Sequence, residues 1–293
     1  MRRRAGALGA IALVSLVAGM ASGSSGGSSP PTPKRAAPTP GGFFARVDLL
    51  AGTGPGSVEA QEDEAQNDAI NRTLGYTPLV RVAGTQHREI ALTFDDGPGP
   101  YTPRILQALE AARVPATFFE VGVLERYFHA STTEMVTRGF PIGDHTQGHA
   151  PMAHLTKADQ RTQLLQQISS VGAYGAPFPR MFRPPYGLWN DTTLALLRKF
   201  KLLMVLWTID SGDYRRPGVA KIVNTIVQKA EPGAIVLLHD AGGNREQTVQ
   251  ALPQIIGRLR AAGYRLVTVP QLLLDNPAPR DQSLPPGVLG GGS

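Results

Sequence analysis

The 293-residue chain contains no cysteine. A disulfide framework, a thiolate nucleophile and a lipid-bearing cysteine are therefore excluded, and any metal site must be built from His, Asp or Glu. Acids are missing from the start of the chain: none precedes residue 42, while Arg2, Arg3, Arg4, Lys34 and Arg35 all do. The formal net charge is +6, and without those five cations it falls to +1. The basic character thus belongs to the leader and the linker after it and implies no nucleic-acid partner. An apolar run of full membrane-spanning length is missing too, since Ala5 to Met20 is short for that purpose. With three arginines before it and small residues after it, this run has the layout of a secretory signal over residues 1–21, Gly19 and Ala21 standing at the −3 and −1 cleavage positions. An uncleaved signal anchor is the alternative.

The rest of the chain divides by composition. Residues 22–42 are rich in Gly, Ser, Pro and Thr and read as a disordered tether. Residues 43–87 read as an N-terminal extension packed on the domain, with one polar helix over 59–74. Residues 88–275 form the globular part, and 276–293 a disordered tail. Within the globular part, apolar runs alternate with helical patterns. Strands are expected at Glu89–Asp95, Ala116–Val121, Phe140–Asp144, Arg180–Arg183, Leu203–Asp210, Ala234–His239 and Arg265–Val269. Helices are expected at Pro103–Ala112, Thr132–Arg138, Lys157–Tyr174, Asp191–Phe200, Val219–Lys229 and Gln247–Ala262. Such alternation implies an α/β fold of about seven parallel strands, either closed into a barrel or left as an open sheet. In both cases chemistry gathers at the strand C-terminal ends. Five of the expected strands finish there on a chemically capable residue: Asp95 and Asp96, Asp144 and His145, Arg183, Asp210, and His239.

Ala91-Leu92-Thr93-Phe94-Asp95-Asp96-Gly97-Pro98 runs from a buried strand into two adjacent carboxylates at a turn, where one acid can hold a metal and the other move a proton. His145-Thr146-Gln147-Gly148-His149 sets two imidazoles at i and i+4, on one face if the stretch is a helical turn. With Asp96 they make a two-nitrogen, one-oxygen set suited to a hydrolytic divalent metal, zinc by default. In Arg183-Pro184-Pro185-Tyr186-Gly187 the prolines lack N–H groups, so the Tyr186 N–H is the first free donor and can serve an oxyanion. In Asp210-Ser211-Gly212-Asp213-Tyr214, after Trp207, either acid can balance Arg183. Leu237-Leu238-His239 puts an imidazole at the tip of a buried strand, where its pKa can be tuned. His87, His129 and His154 have no such context and read as structural.

These five stretches, in this order, resemble the motifs of the polysaccharide deacetylase family, carbohydrate esterase family 4, with its NodB homology domain. The resemblance covers about residues 89–274 and implies a distorted (β/α) barrel with a metal at the strand C-terminal ends. It implies Asp96, His145 and His149 as metal ligands, Asp95 as catalytic base and His239 as catalytic acid. It pairs Arg183 with the base and Asp210 with the acid. Tyr186 supplies the backbone oxyanion donor and Leu237 the apolar wall, with Trp207 and Tyr214 also at the substrate. Two positions depart from the pattern: Asp144 stands where Asn is common, and Tyr214 where Trp is frequent, the second bearing on substrate choice. The implied activity is metal-dependent removal of N-acetyl groups from N-acetylglucosamine in an extracellular polysaccharide. Peptidoglycan comes first, because a leader and a tether of this kind suit the cell wall; chitin oligomers come next and acetylated xylan after them. Zinc is the expected ion, with cobalt, nickel or manganese as alternatives. The expected state is a monomer that meets a membrane only through an uncleaved leader. An iron oxygenase with two histidines and one carboxylate, and a wall-binding module without activity, are the readings from other classes. The first needs neither Asp95 nor His239; the second would not require all five motifs to be intact.

Overall fold

The computed structural model describes residues 58–283. The expected leader and tether, residues 43–57 of the extension and residues 284–293 of the tail lie outside the described residues. The elements are helix α1 (Val58–Leu74), strands β1 (Leu79–Val80) and β2 (Glu89–Asp95), helix α2 (Thr102–Ala112), strand β3 (Thr117–Glu120), helices α3 (Gly122–Glu125) and α4 (His129–Thr137), and strand β4 (Ile142–Asp144). Helix α5 (Lys157–Gly172), strand β5 (Met181–Phe182), helix α6 (Asp191–Phe200), strands β6 (Leu203–Val205) and β7 (Ile209–Asp210) and helix α7 (Val219–Lys229) come next. Strand β8 (Ala234–His239), helix α8 (Glu246–Ala261), strand β9 (Arg265–Val267) and helix α9 (Val269–Asp275) complete the order. No described helix is long and apolar enough to cross a membrane.

One nine-stranded sheet runs β1-β6-β5-β4-β3-β2-β8-β7, with β9 also on β2, and every strand pairing is parallel. The sheet curls into a half-barrel with helices against it. Its axis is β2, buried at all seven positions, as the largely apolar Ile90–Phe94 stretch requires of a strand covered on both faces. One edge of β2 carries β8 from Ile90 to Asp95, and the other is shared by β9 at Glu89–Ala91 and β3 at Thr93–Asp95. Strand alternation then sorts the side chains. Ile90, Leu92 and Phe94 join Ala234, Val236 and Leu238 of β8 in the core under α2, α7 and α8. Ala91 and Ile235 pack in a second core on the opposite face, with Phe119, Val205 and Val267. Asp95 and His239 continue that second face, and the two are register partners at the strand tips.

Two strands more than expected are present. One is β1, which turns part of the N-terminal extension into a piece of the sheet. The other arises because Leu203–Asp210 is two strands, not one. β6 pairs with β1 and β5, β7 pairs with β8, and Leu206–Thr208 crosses between them. β1 and β7 are the two ends of the sheet path, so this short crossing marks a seam where the ends approach. Thr208 spans it: its hydroxyl donates to Arg81 O at 2.8 Å and accepts from Ile235 N at 3.0 Å. At the far end, the expected strand to Val269 stops at Val267, because Thr268 caps α9 by accepting from Gln271 N, with Pro270 in its first turn. The expected tail does not begin at 276. Asn276 is fully buried, donates to Glu89 Oε2 at 2.8 Å and accepts from His87 N at 2.5 Å. Gln282 bonds both Arg81 and Val82. Residues 276–283 therefore belong to the domain.

Candidate active site

β2, β4, β5, β7 and β8 all deliver a functional residue at or just past the same end of the sheet, around a pocket of about 340 Å³. Asp95, Asp96, His145, His149, Tyr186, Trp207, Asp210, Tyr214, Leu237 and His239 all line it. Arg183 does not; it is completely buried behind the pocket. His87, His129 and His154 are absent from the lining, and the His129 ring lies against Tyr174.

The carboxylate pair divides as the backbone turns. Asp95 ends β2 in extended geometry, whereas Asp96 has φ 72°, which swings its side chain back into the same pocket. Left-handed φ is costly for residues other than glycine. Thr146 (φ 68°), His149 (φ 54°) and Tyr186 (φ 60°) share it, and Asp96, His149 and Tyr186 of these four line the one small cavity. The His145–His149 stretch is consequently an irregular bend with two left-handed residues, not the helical turn expected. The imidazoles meet all the same, their centroids 5.0 Å apart.

Asp96 Oδ1 lies 3.0 Å from His149 Nε2 and 3.6 Å from His145 Nε2. Burial would raise the Asp96 pKa, but hydrogen bonding to His145 and His149 and the charge of His145 and His239 outweigh it and hold the carboxyl far below the usual range. His145 Nδ1 donates to Arg183 O at 2.7 Å; a carbonyl only accepts, so Nδ1 carries the hydrogen and Nε2 keeps its lone pair for the cavity. His149 Nδ1 has the Tyr186 hydroxyl at 3.1 Å, which fixes that ring as well. One atom from each of Asp96, His145 and His149 falls within 4.8 Å of the others, and no other such group of His, Asp or Glu occurs among the described residues. The donor set and spacing fit a divalent ion with positions left for water and substrate.

Arg183 Nη1 donates to Asp95 Oδ1 at 2.6 Å and to Thr93 Oγ1 at 2.7 Å, while Nε donates to Val205 O at 2.9 Å. Its plane lies over the Phe119 ring at 4.1 Å. Asp95 is thus held by one oxygen, and its Oδ2 faces the ligands, 3.9 Å from His145 Nε2. Neither Asp210 nor Asp213 balances Arg183; Asp95 does.

The partner of His239 differs from the expectation. Asp213, not Asp210, accepts from His239 Nδ1 at 2.7 Å and from its backbone N–H at 2.9 Å. Thr248 Oγ1 donates to the same carboxylate at 2.8 Å. Gly212, at φ 68°, folds the chain back after β7 and brings the second acid of the pair under β8. Asp210 instead accepts from Gly212 N and from the Tyr214 hydroxyl. Burial pushes the His239 pKa down, but the Asp213 hydrogen bond and charge, with Asp95 and Asp96 beyond, raise it overall. With Nδ1 held by Asp213, Nε2 is the ring nitrogen left for the pocket. Asp144 is fully buried and accepts from Thr146 N at 2.7 Å. Burial pushes its pKa well up, favouring the neutral state that Asn has by nature.

Residues 83–205 match the sequence model of the family described as polysaccharide deacetylase. A chitooligosaccharide deacetylase of Bradyrhizobium sp. (strain ANU 289) is 37% identical over 217 residues, which cover 70% of this chain and 96% of that protein. The chain belongs to the polysaccharide deacetylase family. A peptidoglycan-N-acetylglucosamine deacetylase of Bacillus cereus is 38% identical over 187 residues, 63% of this chain and 87% of that one. Among solved structures, the Bc1960 peptidoglycan N-acetylglucosamine deacetylase superposes with a TM-score of 0.65 at 30% identity, covering 69% of this chain and 95% of that chain. A family 4 carbohydrate esterase from Streptomyces lividans in complex with acetate superposes with a TM-score of 0.59 at 29% identity, covering 63% and 95%. As a polysaccharide deacetylase the chain is a hydrolase, and its parallel half-barrel is the architecture of these structures. Sequence reasoning missed Asp213 as the partner of His239 and the Tyr186 hydroxyl as a support for His149. The signal for the first was Gly212 between two acids; nothing in the sequence marked the second.

Proposed function

We propose that this polysaccharide deacetylase is metal-dependent, acts outside the membrane, and removes the acetyl group from N-acetylglucosamine residues of peptidoglycan. The observation that carries this reading is the meeting of Asp95, Asp96, His145, His149 and His239 in one pocket, with Asp95 tied to Arg183 and His239 to Asp213. Asp96, His145 and His149 would hold the ion, zinc in our reading. When bound, the ion supplies Lewis-acid polarisation of the acetamide carbonyl and acidifies a water. Asp95, with Oδ1 pinned and Oδ2 turned to the cavity, accepts the proton of the attacking water. The Tyr186 N–H, which comes after two prolines, donates to the developing oxyanion. His239 gives the proton on Nε2 to the departing nitrogen, and Asp213 stabilises the imidazolium that does so. Leu237 and Trp207 wall the acetyl group, and Tyr214 borders the sugar. The products are acetate and a free amine.

The basic leader, the apolar run and the Gly/Ser/Pro tether support export and a wall substrate. The relatives named chitooligosaccharide deacetylase favour chitin oligomers as the second reading. Acetate release from peptidoglycan glycan and from chitooligosaccharides, with and without a chelator, separates the two. We expect chelator-sensitive release with the higher kcat/KM on peptidoglycan. A higher value on chitooligosaccharides would transfer the assignment, and full activity in excess chelator would end the metal reading. Asp95→Asn and His239→Ala should each lose about 10²–10⁴-fold in kcat; wild-type rates from either would remove that residue from its role.

A further inference from the structure

Metal ligands are oriented by the groups on their far side, and loss of such a partner commonly weakens metal binding about 10–100-fold. His145 has its partner in Arg183 O and His149 in the Tyr186 hydroxyl. Asp96 has one too, in a residue that none of the sequence motifs contains. Arg245 is buried just before α8. Its Nε donates to Ala241 O at 2.6 Å and its Nη2 to Gly242 O at 3.1 Å, so the guanidinium is fixed to the loop that leaves β8. Nη2 also stands 3.8 Å from Asp96 Oδ2, an ion-pair distance rather than a hydrogen bond. Oδ1 of the same carboxylate is the oxygen turned to the two histidines. Gly242 makes the approach possible: it has φ 71°, and a Cβ there would lie 2.2 Å from Asp96 Oδ2. The back of the Asp96 carboxylate is therefore enclosed by a bare backbone on one side and a tethered cation on another.

We propose that Arg245 is a positioning residue for the metal, holding Asp96 Oδ2 on the protein side so that Oδ1 alone is offered to the ion. The inference rests on the metal-dependent reading of the site, yet its test needs no turnover. Two effects oppose each other here. A neighbouring cation repels a bound one, so charge alone makes Arg245→Gln bind metal more tightly and leaves Arg245→Lys like wild type. Positioning makes both variants bind more weakly, because Lys keeps the charge and loses the fork. Metal-free full-length wild type, R245K and R245Q would be titrated with Co²⁺ against a chromophoric chelator. The visible Co²⁺ spectrum and the Tm of the metal-free protein would be recorded alongside. We expect both variants to bind Co²⁺ about 10-fold more weakly with an altered spectrum, and to lose kcat with KM near wild type. Tighter or unchanged binding by R245Q overturns the proposal and leaves Arg245 a mere charge. Unchanged affinity and spectrum with a lowered Tm overturns it equally and leaves a structural strut. R245K, the milder change, keeps the test open should R245Q not fold. A wild type that does not take up Co²⁺ would sink the metal reading itself, an outcome distinct from any difference between variants.

Discussion

A proton donor must hold its proton at the pH of the reaction, and in the mechanism proposed for this site Asp213 sets that range for His239. The folded pKa of His239 is raised, so the imidazolium persists above the ordinary histidine range and is lost only as pH climbs through the raised value. The alkaline limb of kcat/KM should report that loss. Asp213→Asn keeps an acceptor for Nδ1 but removes the negative charge, so the limb should move to lower pH. Asp210→Asn should leave the limb where it is, since Asp210 bonds the Tyr214 hydroxyl and not the imidazole. A limb that moves with Asp210→Asn and stays with Asp213→Asn would reverse the assignment. The pair also stabilises the fold, and its contribution fades at both extremes. It weakens as pH falls through the lowered pKa of Asp213 and again as pH rises through that of His239. At this scale the sequence exposed residue types better than partnerships. The chemistry of Asp95, Asp96, His145, His149 and His239 could be read from strand ends and spacing. Which of two acids three positions apart reaches the histidine depends on one left-handed glycine, and a turn's direction is not visible in residue types.

The seam between β6 and β7 is where the elements depart most from their apolar pattern. Leu203 to Ile209 is nearly continuous in apolar residues, and nothing in it signals a break, because Leu206 is buried and Trp207 half-buried within the crossing itself. β1 was equally hidden: a two-residue strand is too short to show a period. By contrast β2 and β8, and the capped helices α5 and α6, were legible nearly to the residue, since Thr156 and Asn190 carry their start signals in the side chain. The seam makes its own prediction. Thr208→Val keeps the shape of the side chain and removes both hydroxyl bonds, leaving Arg81 O and Ile235 N without them. The expected cost is about 1–2 kcal/mol, read as a fall in Tm of about 2–8 °C. An unchanged Tm would mean that the seam is held by backbone pairing alone.

Across the whole molecule, the segments before β2 and after β9 close on each other. α1 packs on α9, and the buried Asn276 joins the two ends by bonding the exposed His87 and the buried Glu89. Asn276→Ala should therefore lose about 2 kcal/mol for one buried and one part-buried bond and lower Tm by about 4–8 °C, with kcat/KM at permissive temperature close to wild type. A wild-type Tm would show that residues 276–283 contribute nothing to the domain. The overall α/β architecture was legible because βα alternation leaves few topologies. The domain's outer limits were not, because a buried asparagine within a stretch rich in Pro, Asn and Asp has the composition of a loop. Asp95 and His239 face each other as register partners across β2 and β8. In the proposed mechanism, the residues that remove and return a proton therefore stand on adjacent strand tips, their main chains about 4.8 Å apart. Tyr214 and Trp207 line the pocket from separate loops, so under that mechanism evolution can retailor the sugar that is accepted while the strand tips bearing Asp95 and His239 stay fixed.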